Sequence, residues 1–175
     1  MDHEDVFIES EESEQDRVIS TETIVVTEYS AHARHVLQSA QAAAATAPGG
    51  ILTCEHLLLS LAGARECSAA QVMQECGFTG ESIAQTIAFI SGSQATQELP
   101  AAVIFSPRVE RVLAGAGAEA GNRNAEQIDT LHLLFALIRE RQGIASVALE
   151  TPGVGHEMVG AAISNAMRNG MTDPS

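Results

Sequence analysis

Apolar residues recur at helical spacing in eight separate stretches of this chain, and the eight fall into two sets of four. Ala33, Val36, Leu37, Ala40 and Ala44 share one face of a first amphipathic segment, with Ser30 as its N-cap. Pro48-Gly49-Gly50 breaks that segment. A short second helix opens near Thr53-Cys54 and turns Leu57, Leu58 and Leu61 inward. A third places Ala69, Val72, Met73 and Cys76 inward and stops at Gly77, the residue type that most easily takes the left-handed turn at a helix end. A fourth carries Ile83, Ile87 and Ile90 on one stripe. Residues 92–104, with Pro100, read as a linker. The series then restarts with Ser106 as N-cap and Pro107 in the first turn, followed by Val109, Val112, Leu113 and Ala116. Thr130 is the expected cap for Leu133, Leu134 and Leu137. Ala145, Ala148 and Leu149 precede Pro152-Gly153, and Val159, Ile163 and Met167 close the set.

The second set restates the first. Tyr29-Ser30, Val36-Leu37, His56-Leu57-Leu58, Gly77 and Ile87 return as Phe105-Ser106, Val112-Leu113, His132-Leu133-Leu134, Gly153 and Ile163. Each pair is 76 residues apart, and no gap is needed from Tyr29 to Ala166. A duplicated unit buries its apolar faces against its own copy. The expected fold class is therefore all-α, with eight helices in two four-helix halves related by pseudo-two-fold symmetry. Repeat 1 spans 29–91 and repeat 2 spans 105–169, leaving 170–175 as a C-terminal tail. Residues 1–28 are acidic and rich in Ser and Thr, so they read as a solvated tail, with Ile24-Val25-Val26 able to pair as a short strand or dock.

Composition narrows the function. A length of 175 residues suits one domain plus tails. Hydrophobic residues make up 45% but aromatics only 3%, so the core must be aliphatic. Net charge is −14, and all nine basic residues are Arg. That balance opposes binding to nucleic acid, which depends on basic groups displacing phosphate counterions. It opposes anionic membrane surfaces for the same reason. Without Lys there is neither a phosphate-gripping P-loop lysine nor a Schiff base. Cys54, Cys67 and Cys76 all lie in repeat 1, an odd count with no CxxC, which together with the lack of an apolar leader points to reduced thiols in a cytoplasmic protein. No apolar run approaches the roughly 20 residues that span a bilayer.

Few residues offer chemistry. Glu55 falls in the first turn of the second helix, where a carboxylate suits the macrodipole with or without a ligand. His56 and His132 hold equivalent positions, but no second ligand repeats with them, so they read as hydrogen-bonded histidines and not as a metal site. Cys54-Glu55-His56 are consecutive on a helix, roughly 100° apart, and cannot form a nucleophile–base pair. No catalytic residue, metal or cofactor is expected. His32 and His35, and Arg108 and Arg111 in the same slots of repeat 2, read as solvent-facing. Arg108, Arg111 and Arg123 suit an acidic partner or the acidic segment 1–28, which could itself occupy a helix-capping groove that such a partner would use.

The elements Tyr29-Ser30-x-x-Ala33-x-x-Val36-Leu37, Cys54-Glu55-His56-Leu57-Leu58-Leu59, Val72-Met73 and Gly77, with their second copies, resemble the Clp repeat found twice in the N-terminal domain of Clp-family unfoldases. The likeness runs from about residue 29 to 168. It implies an eight-helix module that recruits adaptors and substrates for the Clp peptidase, here looking like a stand-alone N-domain without ATPase modules. The implied partners are Clp ATPase or peptidase subunits, adaptors or client proteins. The implied role is adaptor or regulator, with a structural accessory subunit or a thiol-based redox or small-molecule sensor as alternatives. Some members recognise phosphorylated arginine, a Glu pairing the guanidinium while hydroxyls and helix N-termini hold the phosphate. Carried over by repeat, this gives one half-site of Ser30, Cys54 and Glu55, with Cys54 where the motif has Thr. The second, degenerate half-site is Ser106, Thr130 and Leu131, with Leu131 replacing the Glu.

Overall fold

The computed structural model describes residues 29–91, 102–150 and 155–174. The acidic segment 1–28 with Ile24-Val25-Val26, most of the linker and Pro152-Gly153 lie outside the described residues. Among the described residues eight helices form where the apolar spacing put them. They are α1 (Ala31–Ala45), α2 (Cys54–Gly63), α3 (Ser68–Glu75), α4 (Gly80–Ser91), α5 (Pro107–Asn122), α6 (Thr130–Glu140), α7 (Ile144–Glu150) and α8 (His156–Arg168).

Local chemistry starts them. Ser30 Oγ accepts from Ala33 N at 3.0 Å, and Ser106 Oγ accepts from Val109 N at 3.4 Å. Thr130, expected as a cap, is instead the first residue of α6. Asp129 is the cap, its carboxylate accepting from His132 N at 3.0 Å. A carboxylate is the stronger acceptor for an N-terminal amide, and its use frees the Thr130 hydroxyl to point between the halves. His132 Nδ1 accepts from Asp129 N at 3.1 Å, and His56 Nδ1 accepts from Thr53 N at 3.2 Å. The two equivalent histidines thus close equivalent capping boxes.

The halves interlock. α1 packs on α2 and α5 on α6, but α3 packs on α8 of the other half and α7 on α4. Two short backbone links cross between them. β1 (Ile51–Leu52) pairs in parallel with β2 (Ile104–Phe105), and Ser106 N donates to Leu52 O at 3.0 Å. Likewise Tyr29 bridges Ile128, and Ser30 N donates to Ile128 O at 2.9 Å. Leu57, Leu58, Leu133 and Leu134, all with no exposed surface, fill the centre between α2 and α6. Each such side chain contributes about 1.5–3 kcal/mol by leaving water. Ile90 departs from its expected stripe: Ile83 and Ile87 are buried, but Ile90 is 40% exposed in the last turn of α4. No helix among the described residues is long and apolar enough to cross a membrane.

Candidate functional site

The crossed backbone links bring helix N-termini together in two sets, each drawn from both repeats. At the first set, the Leu52–Phe105 pairing sets Ser106 beside the start of α2, which carries Cys54 and Glu55. Glu55 Oε1 accepts from Ala145 N, in the first turn of α7, at 3.3 Å. Gly143 precedes α7 with φ +87°, and the Arg108 guanidinium lies directly over it, so that a Cβ there would stand 2.3 Å from Nη1. Arg111, which the periodicity turned to solvent, forks onto Glu140 with contacts of 2.6 and 3.5 Å. Two guanidinium groups and two carboxylates thus gather around Cys54.

Cys54 itself is only 4% exposed. Burial above all, then the charges of Glu55 and Glu140, pushes its thiol up to about 11, against a smaller downward pull from Arg108 and Arg111. At neutral pH it is a protonated thiol and no nucleophile. Burial also holds His56 below the usual imidazole range, with Glu55 opposing, which suits a ring whose Nδ1 accepts the Thr53 amide. Cys67 is buried, its sulfur caps α3 by accepting from Ala70 N at 3.4 Å, and burial raises its thiol too.

The second set gathers the starts of α1, α3 and α6. The Tyr29–Ile128 bridge sets Ser30 beside Thr130, and Thr130 Oγ1 accepts from Ala69 N of α3 at 3.2 Å. Leu131 is fully buried in the core. Into this set comes Asp173, from beyond α8. Its Oδ2 accepts from Ser30 Oγ at 2.6 Å and Thr130 N at 2.9 Å. Its Oδ1 accepts from Thr130 Oγ1 at 2.5 Å and Ser68 N at 3.2 Å.

Sequence reasoning grouped these residues by repeat, and the structure groups them across repeats. Ser30 lies with Thr130, not with Cys54 and Glu55; Ser106 lies with Cys54 and Glu55, not with Thr130 and Leu131. The reason is that each first-helix cap pairs with the strand-like residues before the second helix of the other copy. Ser68 and Asp173 were missed altogether. The one available signal was Gly170 after α8, since a glycine at that point ends a helix and turns the chain back. Of the remaining residues, His35 is exposed and His32 half-buried, while Arg123 pairs with Glu119 at 2.6 Å. No cluster of three or more metal-ligating side chains occurs among the described residues.

Comparison with known proteins places this geometry in a wider set. The Clp repeat (R) N-terminal domain matches residues 28–120 and again 104–175. The negative regulator of genetic competence ClpC/MecB of Bacillus subtilis is 30% identical over 126 residues, covering 72% of this chain but only 15% of that protein. The N-terminal domain of the chaperone ClpD from Arabidopsis thaliana superposes with a TM-score of 0.65 at 18% identity, over 83% of this chain and 98% of that one. The Hsp104 N-terminal domain from Candida albicans gives a TM-score of 0.68 at 12% identity, over 83% and 94%.

Proposed function

The chain belongs to the family of Clp repeat N-terminal domains, substrate- and adaptor-binding modules of Clp ATPases, and from that premise we propose that it is a non-enzymatic docking module that adapts or regulates Clp-type ATP-dependent proteolysis. Its partners in this reading are Clp ATPase or peptidase subunits, adaptors or client proteins. The observation that carries it is the patch of Glu55, Arg108 and Ser106 at the start of α2 and α5. A carboxylate there can grip a planar guanidinium in two parallel bonds. The neighbouring helix amides, the Ser106 hydroxyl and Arg108 suit a phosphoryl group beside it. A client marked by phosphoarginine carries both. Among the described residues Glu55 makes one hydrogen bond, from Ala145 N at 3.3 Å, and a guanidinium can exchange for that contact.

The protonated, buried Cys54 and the capping role of His56 support a binding role over a catalytic one. The burial of Cys54 and Cys67 weighs against a thiol sensor, and three free cysteines fit a reducing cytoplasm. Titration with free phosphoarginine by calorimetry tests the ligand. Wild type should saturate and Glu55→Ala should lose at least about tenfold in affinity; a wild type that shows no saturable binding removes phosphoarginine from the proposal. Affinity capture then separates adaptor from accessory subunit. An adaptor enriches degradation substrates in a Glu55-dependent way, whereas an accessory subunit enriches Clp subunits alone.

A further inference from the structure

Four donors converge on the Asp173 carboxylate, and they come from the starts of α1, α3 and α6 in both halves. With Asp173 seated on them the donors are desolvated: Ser30 is 8% exposed, Ser68 1% and Thr130 not at all. Buried hydroxyls and amides of this kind demand an acceptor, and three helix starts together favour an anionic one. The pseudo-equivalent start of α7 takes its carboxylate from Glu55 on a neighbouring helix. The second set has Leu131 at that position and receives its carboxylate from beyond α8 instead.

The delivery is built into the end of α8. Gly170, at φ +79°, reverses the chain, with Met171 N bonded to Ala166 O at 2.9 Å and Gly170 N to Met167 O at 3.1 Å. Met171 leans on the core as an anchor, while Thr172 and Pro174 on either side of Asp173 are exposed. An open cleft runs alongside, lined by Ser30, Arg123, Glu126, Asp129, Thr172 and Asp173, and leads an incoming group to Ser30 and to Asp173 itself, while Ser68 and Thr130 lie outside its lining.

We propose that segment 170–174 is a tethered plug: the oxyanion site of Ser30, Ser68 and Thr130 accepts a phosphoryl group from a partner only after Asp173 has left it. The identity of that partner rests on the docking-module reading; the plug itself does not. A tethered carboxylate acts at an effective concentration of about millimolar or above, and the apparent affinity of a competitor falls by the fraction of time the site stands open.

The test uses the full chain and inorganic phosphate, followed through the backbone amide resonances of Ser68, Thr130 and Thr172. D173N, whose amide group presents a donor to donors, should bind phosphate at least about tenfold more tightly than wild type. In wild type, phosphate should move Thr172 to an unstructured position in step with its effect on Ser68 and Thr130. T130V should abolish both responses. Equal affinities of wild type and D173N overturn the proposal, as does a folded D173N that binds no phosphate. If D173N does not fold, wild type decides alone: Ser68 and Thr130 saturating while Thr172 stays in place overturns the plug. Glu55-dependent phosphoarginine binding is read at the other set of helix starts, so the two proposals fail separately.

Discussion

Placing a carboxylate at position 131 puts the two sets of helix starts in direct competition. Glu55, 76 residues earlier, reaches Ala145 N in the first turn of α7. The equivalent amide in α3 is Ala69 N, next to the Ser68 N that donates to Asp173. In L131E the new carboxylate, taking Ala69 N from the Thr130 hydroxyl, and Asp173 would therefore sit on neighbouring amides, on the order of 5 Å apart given the spacing of about 3.8 Å between consecutive Cα atoms. At an effective dielectric of about 20 the repulsion is about 3 kcal/mol. Loss of the fully buried Leu131 side chain adds about 2 kcal/mol. The sum of about 5 kcal/mol reaches the lower end of what holds an ordinary domain folded. In D173N only the burial cost remains. L131Q removes the same apolar surface without the charge and should cost about 2 kcal/mol in either background. Urea unfolding of the six proteins, followed by circular dichroism at neutral pH, gives the coupling. The expected value is about 3 kcal/mol for L131E with D173N, against less than about 0.5 kcal/mol for L131Q with D173N. Additivity of L131E and D173N within about 0.5 kcal/mol would refute the claim that Asp173 supplies the carboxylate that position 131 lacks.

Two further outcomes follow from the other set. Because Cys54 is raised to about 11 in the fold, its thiolate is disfavoured there; its contribution to stability is intact below the ordinary thiol range and is lost as pH climbs towards about 11. Wild type should therefore lose about 2 kcal/mol more than C54A between about pH 8 and about pH 11, and parallel pH–melting curves would contradict this. At Gly143 the φ of +87° sets the cost of a side chain, because the atom it would strike is the tip of the flexible, exposed Arg108. G143A should cost about 1–2 kcal/mol in wild type and the same in R108A. A cost that disappears in the R108A background would show that the Arg108 contact, not the backbone, was decisive.

The residue pattern determined a good deal before any coordinates. Ser30 and Ser106 were legible as caps because a short hydroxyl side chain next to an apolar 3.6-residue rhythm has one economical use. The twofold repeat was legible because duplicated halves must present duplicated apolar faces. Boundary detail was less so: Thr130 looked like a cap because Ser and Thr usually are, while Asp129, one residue earlier, is the stronger acceptor. Ile90 fitted the stripe of α4 and yet lies partly in solvent, since periodicity says which face is apolar and not how far the neighbouring helix extends.

The sites depended on something no single-chain pattern contains. That Ser106 meets Glu55, and Ser30 meets Thr130, follows from two backbone links crossing between the copies, Leu52 to Phe105 and Tyr29 to Ile128. Residues far apart in number met also because α3 and α7 pack across the boundary between the halves. Asp173 is the extreme case, a lone acidic residue after the last helix whose neighbours are 143, 105 and 43 positions away. Local sequence fixes helices through forces that act within a few residues. Which helix ends converge, and whose carboxylate reaches them, is decided by long-range packing of the two halves.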